Sequence, residues 1–174
     1  MQAAETRIQQ LIEGTKQYLV PLFQRAYSWD QKEWQTLRKD LVELCEEGNP
    51  RPHFMGSVVT LPTSSVPEGV SKFLVIDGQQ RLTTTFIVLA LVRDAAKASG
   101  KPELADEIHN TLLVNQYKKG NDPFKFQPTQ IDRPVFSALI KDETRPAIDV
   151  KIGAAYAFFE RELKKASVDL ERLK

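Results

Sequence analysis

The sequence predicts an α+β domain: a small mixed sheet with helices packed against it and a mainly helical second half. Three observations lead there. Two strand-like stretches, residues 53–61 and 72–76, flank a loop rich in Pro, Ser, Thr and Gly. Immediately after the second stretch, Leu82 and then Phe86-Ile87-Val88-Leu89-Ala90-Leu91-Val92 are apolar on every side of a helix, as a buried central helix would be. From Leu104 onward, apolar residues recur at helical spacing as far as Leu163.

Each element has its own signal. Residues 5–13 form a short helix with Ile8, Leu11 and Ile12 on one face, ended by Gly14. Tyr18-Leu19-Val20 is a short strand stopped by Pro21, and residues 22–27 form an irregular loop. Ser28 with Gln31 makes a capping box for a helix carrying Trp34, Leu37, Leu41 and Leu44, which Gly48-Asn49-Pro50 terminates. The strands at 53–61 and 72–76 form an antiparallel pair around the loop 62–71, and the chain turns through Asp77-Gly78 into a helix at 81–99. Leu104, Ile108 and Leu112 mark the next helix. Tyr117 and Phe124-Lys125-Phe126 flank the turn Lys118-Lys119-Gly120-Asn121-Asp122-Pro123. Asp132 caps a helix with Val135, Phe136, Leu139 and Ile140 inward; Asp149 caps a last one with Ile152, Tyr156, Phe159 and Leu163 inward.

The bulk numbers fit one domain over residues 1–174. Apolar residues are 41% and charged residues 27% of the chain, and the net charge is +1. A near-neutral chain leaves any nucleic-acid contact to a local patch. Cys45 is the only cysteine, so neither an intrachain disulfide nor a cysteine metal cluster can form. The start lacks the basic-then-apolar pattern of a signal peptide. The longest apolar run, residues 86–92, is far short of the ~20 residues of a membrane span. A cytoplasmic protein without membrane contact is expected. The charged helical sequence running to Lys174 has no stop signal, which suggests that a further domain follows.

Two constellations carry chemistry. A strand ending at Ile76, Gly78 at the turn and a helix starting at once suit an anion, because the first N–H groups of a helix have no partner within it. Gly78 allows close approach of a phosphate, Arg81 adds a bidentate fork, Gln79 and Gln80 add amides that donate or orient a water, and Thr83 and Thr84 add hydroxyls. Asp77 is suited to Mg²⁺ or to a ribose or base. The same residues also make a plain turn, with Asp77 capping the helix and Arg81 in a surface ion pair. No Gly-x-x-x-x-Gly-Lys-Ser/Thr occurs, which excludes an ordinary P-loop.

The second constellation is Pro21-Leu22-Phe23-Gln24-Arg25-Ala26-Tyr27-Ser28-Trp29. Arg25 suits a phosphate backbone while Tyr27 or Trp29 offers an apolar wall. Core packing at the helix entry is the other reading, and the preferred one for Trp29. A Tyr27 wall beside Arg25 would favour a phosphate carrying sulfur, which is softer and less strongly hydrated than oxygen. Lys118, Lys119, Lys125 and Arg133 either extend this into a DNA-facing patch or solvate the surface. Phe124-Lys125-Phe126 reads equally as an alternating strand with its phenylalanines inward.

Taken in order, Pro21-x-Phe23-Gln24-Arg25-x-Tyr27-Ser28-Trp29, Phe54-x-Gly56-Ser57 and Ile76-Asp77-Gly78-Gln79-Gln80-Arg81-Leu82-Thr83-Thr84 resemble the N-terminal domain of GmrSD-type modification-dependent restriction endonucleases. That domain also occurs in SspE, a phosphorothioate-sensing defence nuclease. The resemblance covers most of residues 5–165, with Ala26 where proline is common. It implies a ParB/sulfiredoxin-like fold and hydrolysis of GTP or ATP with Mg²⁺, coupled to recognition of modified DNA. On that reading Asp77, Gln79, Gln80 and Arg81 are catalytic, Gly78, Arg81, Thr83 and Thr84 hold the nucleotide, and Gln24, Arg25 and Tyr27 lie at phosphorothioate-modified DNA. A C-terminal nicking nuclease would be the partner domain, and a homodimer stays open. His53 and His109, the only histidines, lie far apart, so no protein metal site is expected and the family's His-Asn-His nuclease centre has no counterpart here. The alternative function is a DNA-modification binding module without catalysis; a bare protein-interaction domain is a third.

Overall fold

A computed structural model of the chain describes residues 5–46, 54–63, 69–118, 123–143 and 146–165. Within them the fold is α+β, as expected from the sequence. Four strands, β1 (Lys16–Leu19), β2 (Val59–Pro62), β3 (Ser71–Asp77) and β4 (Phe126–Gln127), form one sheet in the order β2-β3-β1-β4. β2 and β3 pair antiparallel, whereas β1 runs parallel to both β3 and β4. The sheet is therefore mixed, and its central strand is the first in the chain.

The helices are α1 (Ile8–Ile12), α2 (Gln31–Glu46), α3 (Gln79–Ala98), α4 (Pro102–Ile108), α5 (Arg133–Ile140) and α6 (Lys151–Lys165), with one π-helical turn, His109–Leu113, continuing α4. α3 is the hub. Phe86, Ile87 and Ala90 are fully buried on it, and α4, α5, α6 and β4 pack around it. Phe86 stacks on Phe126 of β4 with ring centroids 5.2 Å apart, and Phe136 of α5 meets Phe126 edge-on at 5.5 Å. α2 lies against α6 through Trp34 and Phe158, 5.6 Å between centroids, and through the Arg38–Glu162 ion pair at 2.9 Å. Among the described residues, no helix is long and apolar enough to cross a membrane.

Several local expectations are corrected. The box that caps α2 is Asp30 and Glu33, not Ser28 and Gln31. Asp30 Oδ1 accepts from the Lys32 N–H at 3.3 Å, and Glu33 Oε2 accepts from the Asp30 N–H at 3.1 Å. Ser28 is diverted because its N–H donates to Gln80 Oε1. Asp132 precedes α5 but its side chain caps nothing there; it accepts from the Tyr27 N–H and from the Thr129 hydroxyl. α6 begins at Lys151, so Asp149 sits one residue outside the cap position. The strand expected over 53–61 is confined to β2, and residues 54–58 approach it without pairing. His53, Lys119 and Gly48-Asn49-Pro50 lie outside the described residues.

Lys125 is also corrected. It is buried, not part of a DNA-facing surface, and donates through Nζ to the carbonyl oxygens of Ile12 and Gly14. Burial, and then the nearby Lys16 ammonium, push it below the ordinary lysine range. Phe124 and Phe126 are buried as the strand reading expects, but Lys125 between them is buried too and only Phe126–Gln127 is strand, so the expected alternation is absent.

Candidate functional site

The turn after β3 is built around a backbone requirement. Gly78 has φ +93°, and a Cβ there would lie 3.1 Å from Ser57 O and 3.2 Å from Val58 Cα. Glycine is thus required both by the left-handed backbone and by the close approach of the chain leading to β2. α3 starts at the next residue with no side chain capping it. Its first N–H groups lie outside the intrahelical ladder, which begins with the Leu82 N–H donating to Gly78 O at 3.0 Å. The positive end of a 20-residue helix therefore lies at the turn.

The structure brings the two sequence constellations into direct contact. Gln24 Nε2 donates to Ile76 O at 3.0 Å, and Gln79 Nε2 donates to Arg25 O at 3.1 Å and Gln24 Oε1 at 3.3 Å. Gln80 is buried and clamps the next part of the same loop. Its Nε2 donates to Ala26 O at 3.1 Å, and its Oε1 accepts from the Ser28 N–H at 2.8 Å. Below it, the Tyr27 hydroxyl lies 2.7 Å from Thr84 Oγ1 and accepts from Trp34 Nε1–H at 2.8 Å.

This arrangement revises the individual assignments. Tyr27 is only 5% exposed, so it cannot form a wall against DNA in this conformation. Burial pushes its hydroxyl up to about 12 despite hydrogen bonds to Thr84 and Trp34 that favour the ionised form. Thr83 and Thr84 are buried too, and their hydroxyls donate back to the carbonyl oxygens of Gln79 and Gln80. Gln79 and Gln80 spend their amides on the loop.

Arg81 Nη2 donates to Ser57 O at 2.9 Å and stands 3.7 Å from Asp77 Oδ2, while Nε is buried with no hydrogen-bond partner among the described residues. Gly56, at φ +93°, makes room for it: a Cβ there would lie 3.0 Å from Arg81 Nε and Cζ. Asp77 keeps 63% of its side chain exposed. Arg25 is exposed and makes no side-chain hydrogen bond or ion pair among the described residues. Leu22 and Phe23, beside it, are 74% and 80% exposed.

Segments 21–29, 54–57 and 76–84 thus form one network around the start of α3. The family model of the GmrSD restriction endonuclease N-terminal domain matches residues 8–171, which span all three. The chain belongs to this family. It is accordingly part of a restriction endonuclease system. No curated protein matches the sequence.

Proposed function

We propose that this GmrSD N-terminal domain is a nucleotide-hydrolysing sensor that takes GTP or ATP at residues 77–81 and modified DNA on the adjoining Arg25 loop, and so controls a C-terminal nuclease domain. The observation supporting this most is the clamp of Gln79 and Gln80 on residues 24–28. A phosphate held at the start of α3 would lie next to the two side chains that fix the loop carrying Arg25. Nucleotide state and DNA grip are then mechanically linked, as a sensor requires.

The chain's own groups divide the work as follows. The first N–H groups of α3 and the Arg81 guanidinium receive phosphate oxygens. Mg²⁺ at such sites is held by one or two carboxylates together with substrate phosphates, and Asp77, exposed at the turn, is the carboxylate placed for it. Arg25 meets the DNA backbone. A phosphorothioate mark, drawn from the resemblance to SspE and its ParB/sulfiredoxin-like relatives, would meet the exposed Leu22 and Phe23 in place of the buried Tyr27.

One observation favours a second reading, a DNA-modification binding module without catalysis. Gln79, Gln80, Thr83 and Thr84 all find protein partners, as they would if the turn were only an anchor. Hydrolysis of GTP and ATP with Mg²⁺, measured with phosphorothioate DNA, plain DNA or none, separates the two. Asp77→Asn alters an exposed group and should leave folding intact. The sensor reading expects turnover raised by modified DNA and lowered on the order of a hundredfold by Asp77→Asn. Folded protein that binds modified DNA but hydrolyses neither nucleotide would overturn it in favour of the binding module.

A further inference from the structure

Behind the turn lies a pocket of about 220 Å³ between α2 and residues 54–55, with Arg81 on one side. Its apolar lining is Trp29, Leu37, Phe54 and Met55. Leu37 is buried, Trp29 and Met55 pack partly against the core, and Phe54 is 79% exposed, a large ring left beside an opening. Lys32, Glu33 and Asp40 of α2 complete the polar side. Two cationic groups border it: Arg81, whose side chain is 30% exposed, and Lys32, which makes no side-chain hydrogen bond or ion pair among the described residues.

Three features narrow the ligand. The volume lies below the ~300–1,000 Å³ of sites for drug-sized ligands, so a single ring system fits better than a whole nucleotide. Exposed aromatic carbon at an opening suits stacking on a flat ring. The carboxylates Glu33 and Asp40 would oppose a bare phosphate, but together with Lys32 and Arg81 they match an edge carrying both donors and acceptors, which is what a nucleobase presents. We infer that this pocket receives a nucleobase, its phosphates extending past Arg81 to the start of α3.

The base comes from a free nucleotide if the proposed function is right, and from a nucleotide turned out of DNA if it is not. For the first source this inference rests on that reading. The chemistry recognised is the same in both, and the arms of the experiment separate them.

Inorganic tripolyphosphate, GTP, ATP and a purine-containing single-stranded oligonucleotide are titrated calorimetrically, with indole fluorescence as a second readout. The chain has only two tryptophans, and Trp34 is buried with its N–H held by Tyr27, so a stacked base would quench Trp29. Phe54→Ala removes an exposed ring; Thr36→Phe adds bulk at a pocket-lining residue exposed on α2. Expected is a nucleotide affinity about tenfold or more above tripolyphosphate, the scale of one base–aromatic stack. Quenching should come from nucleotide alone, and both variants should erase the advantage while leaving tripolyphosphate binding unchanged. Equal binding of nucleotide and tripolyphosphate, indifferent to both variants, would refute the pocket and leave the phosphate site standing. If no triphosphate binds, the nucleotide reading of the turn falls instead. The pocket then survives only if the oligonucleotide quenches Trp29 and Thr36→Phe abolishes that quenching; otherwise it falls as well.

Discussion

Replacing Gln80 by methionine tests whether the amide clamp holds the loop. Methionine keeps the length and much of the volume of glutamine but removes both polar partners. The Ser28 N–H loses its acceptor at 2.8 Å and Ala26 O loses its donor at 3.1 Å. A hydrogen bond contributes roughly 0.5–1.5 kcal/mol net, and a partner left buried costs toward the upper end or beyond. Gln80 is 8% exposed, but Ser28 is exposed and Ala26 half-buried, so water recovers part of the loss on the loop side. Two bonds then give about 2 kcal/mol. With a urea m-value of about 1–3 kcal/mol/M, the unfolding midpoint should fall by roughly 1 M. Gln79→Met is the control: its contacts are more exposed and one is long at 3.3 Å, so its cost should stay below about 1 kcal/mol. If Gln80→Met unfolds within about 0.5 kcal/mol of wild type, the ordinary range for surface changes, the clamp does not hold the loop and the coupling argued from it fails.

Tyr27→Phe removes the acceptor of Trp34 Nε1–H in a buried site and should cost about 1–3 kcal/mol in the same titration, with no gain from refilling because the ring volume is kept. Gly78→Ala forces a side chain into φ +93° against Ser57 O and Val58; a loss of at least about 1–2 kcal/mol is expected in thermal or urea unfolding, and a neutral result would refute the turn geometry. Arg25→Ala should leave the unfolding midpoint unchanged but weaken binding to all DNA sequences, reducing the slope of log affinity against log salt by about one. His109 is held below its ordinary value, chiefly by burial and then by the Arg93 guanidinium, so the folded state resists its protonation. The stability this gives is complete above the unfolded value of 6.5 and is lost as pH falls from there toward the depressed folded value; urea midpoints over that interval should fall, and His109→Gln should flatten that part of the decline.

Much of the fold was legible because its signals are local. The apolar run 86–92 within α3, the antiparallel β2–β3 pair and the helical stripes after Leu104 each stand in one stretch of sequence. What could not be read depended on partners far along the chain. Nothing within residues 16–19 says that β1 runs parallel to both β3 and β4, since those pairings join residues more than 50 positions apart. Two capping boxes overlap at residues 28–33, and the choice between them rests on Gln80, which takes the Ser28 N–H. Lys125 looks like a surface lysine until the carbonyl oxygens of Ile12 and Gly14 converge on it from the other end of the chain. The pocket beside Arg81 was not legible either: Trp29 and Phe54 stand in separate motif segments, and no spacing joins them to each other or to Lys32.

The motif string itself divides once each residue's structural work is known. Gly78 and Gly56 satisfy backbone and space, Gln79 and Gln80 hold the loop, and Thr84, Tyr27 and Trp34 form one buried chain of hydrogen bonds. These residues would be needed whether or not the protein bound anything. Asp77 and Arg25 are different. Asp77 has only a 3.7 Å pairing with Arg81 at a half-open surface, worth roughly 0–1 kcal/mol, and Arg25 has no side-chain partner among the described residues. Folding gives little reason for a carboxylate at one position or a guanidinium at the other. The fold nonetheless holds their two segments together through Gln79, whose amide reaches the Arg25 carbonyl two residues after Asp77. Residues with little structural duty on rigidly held backbone are where chemistry is most reasonably sought, and here they are a carboxylate suited to a metal–phosphate and a cation suited to a nucleic-acid backbone.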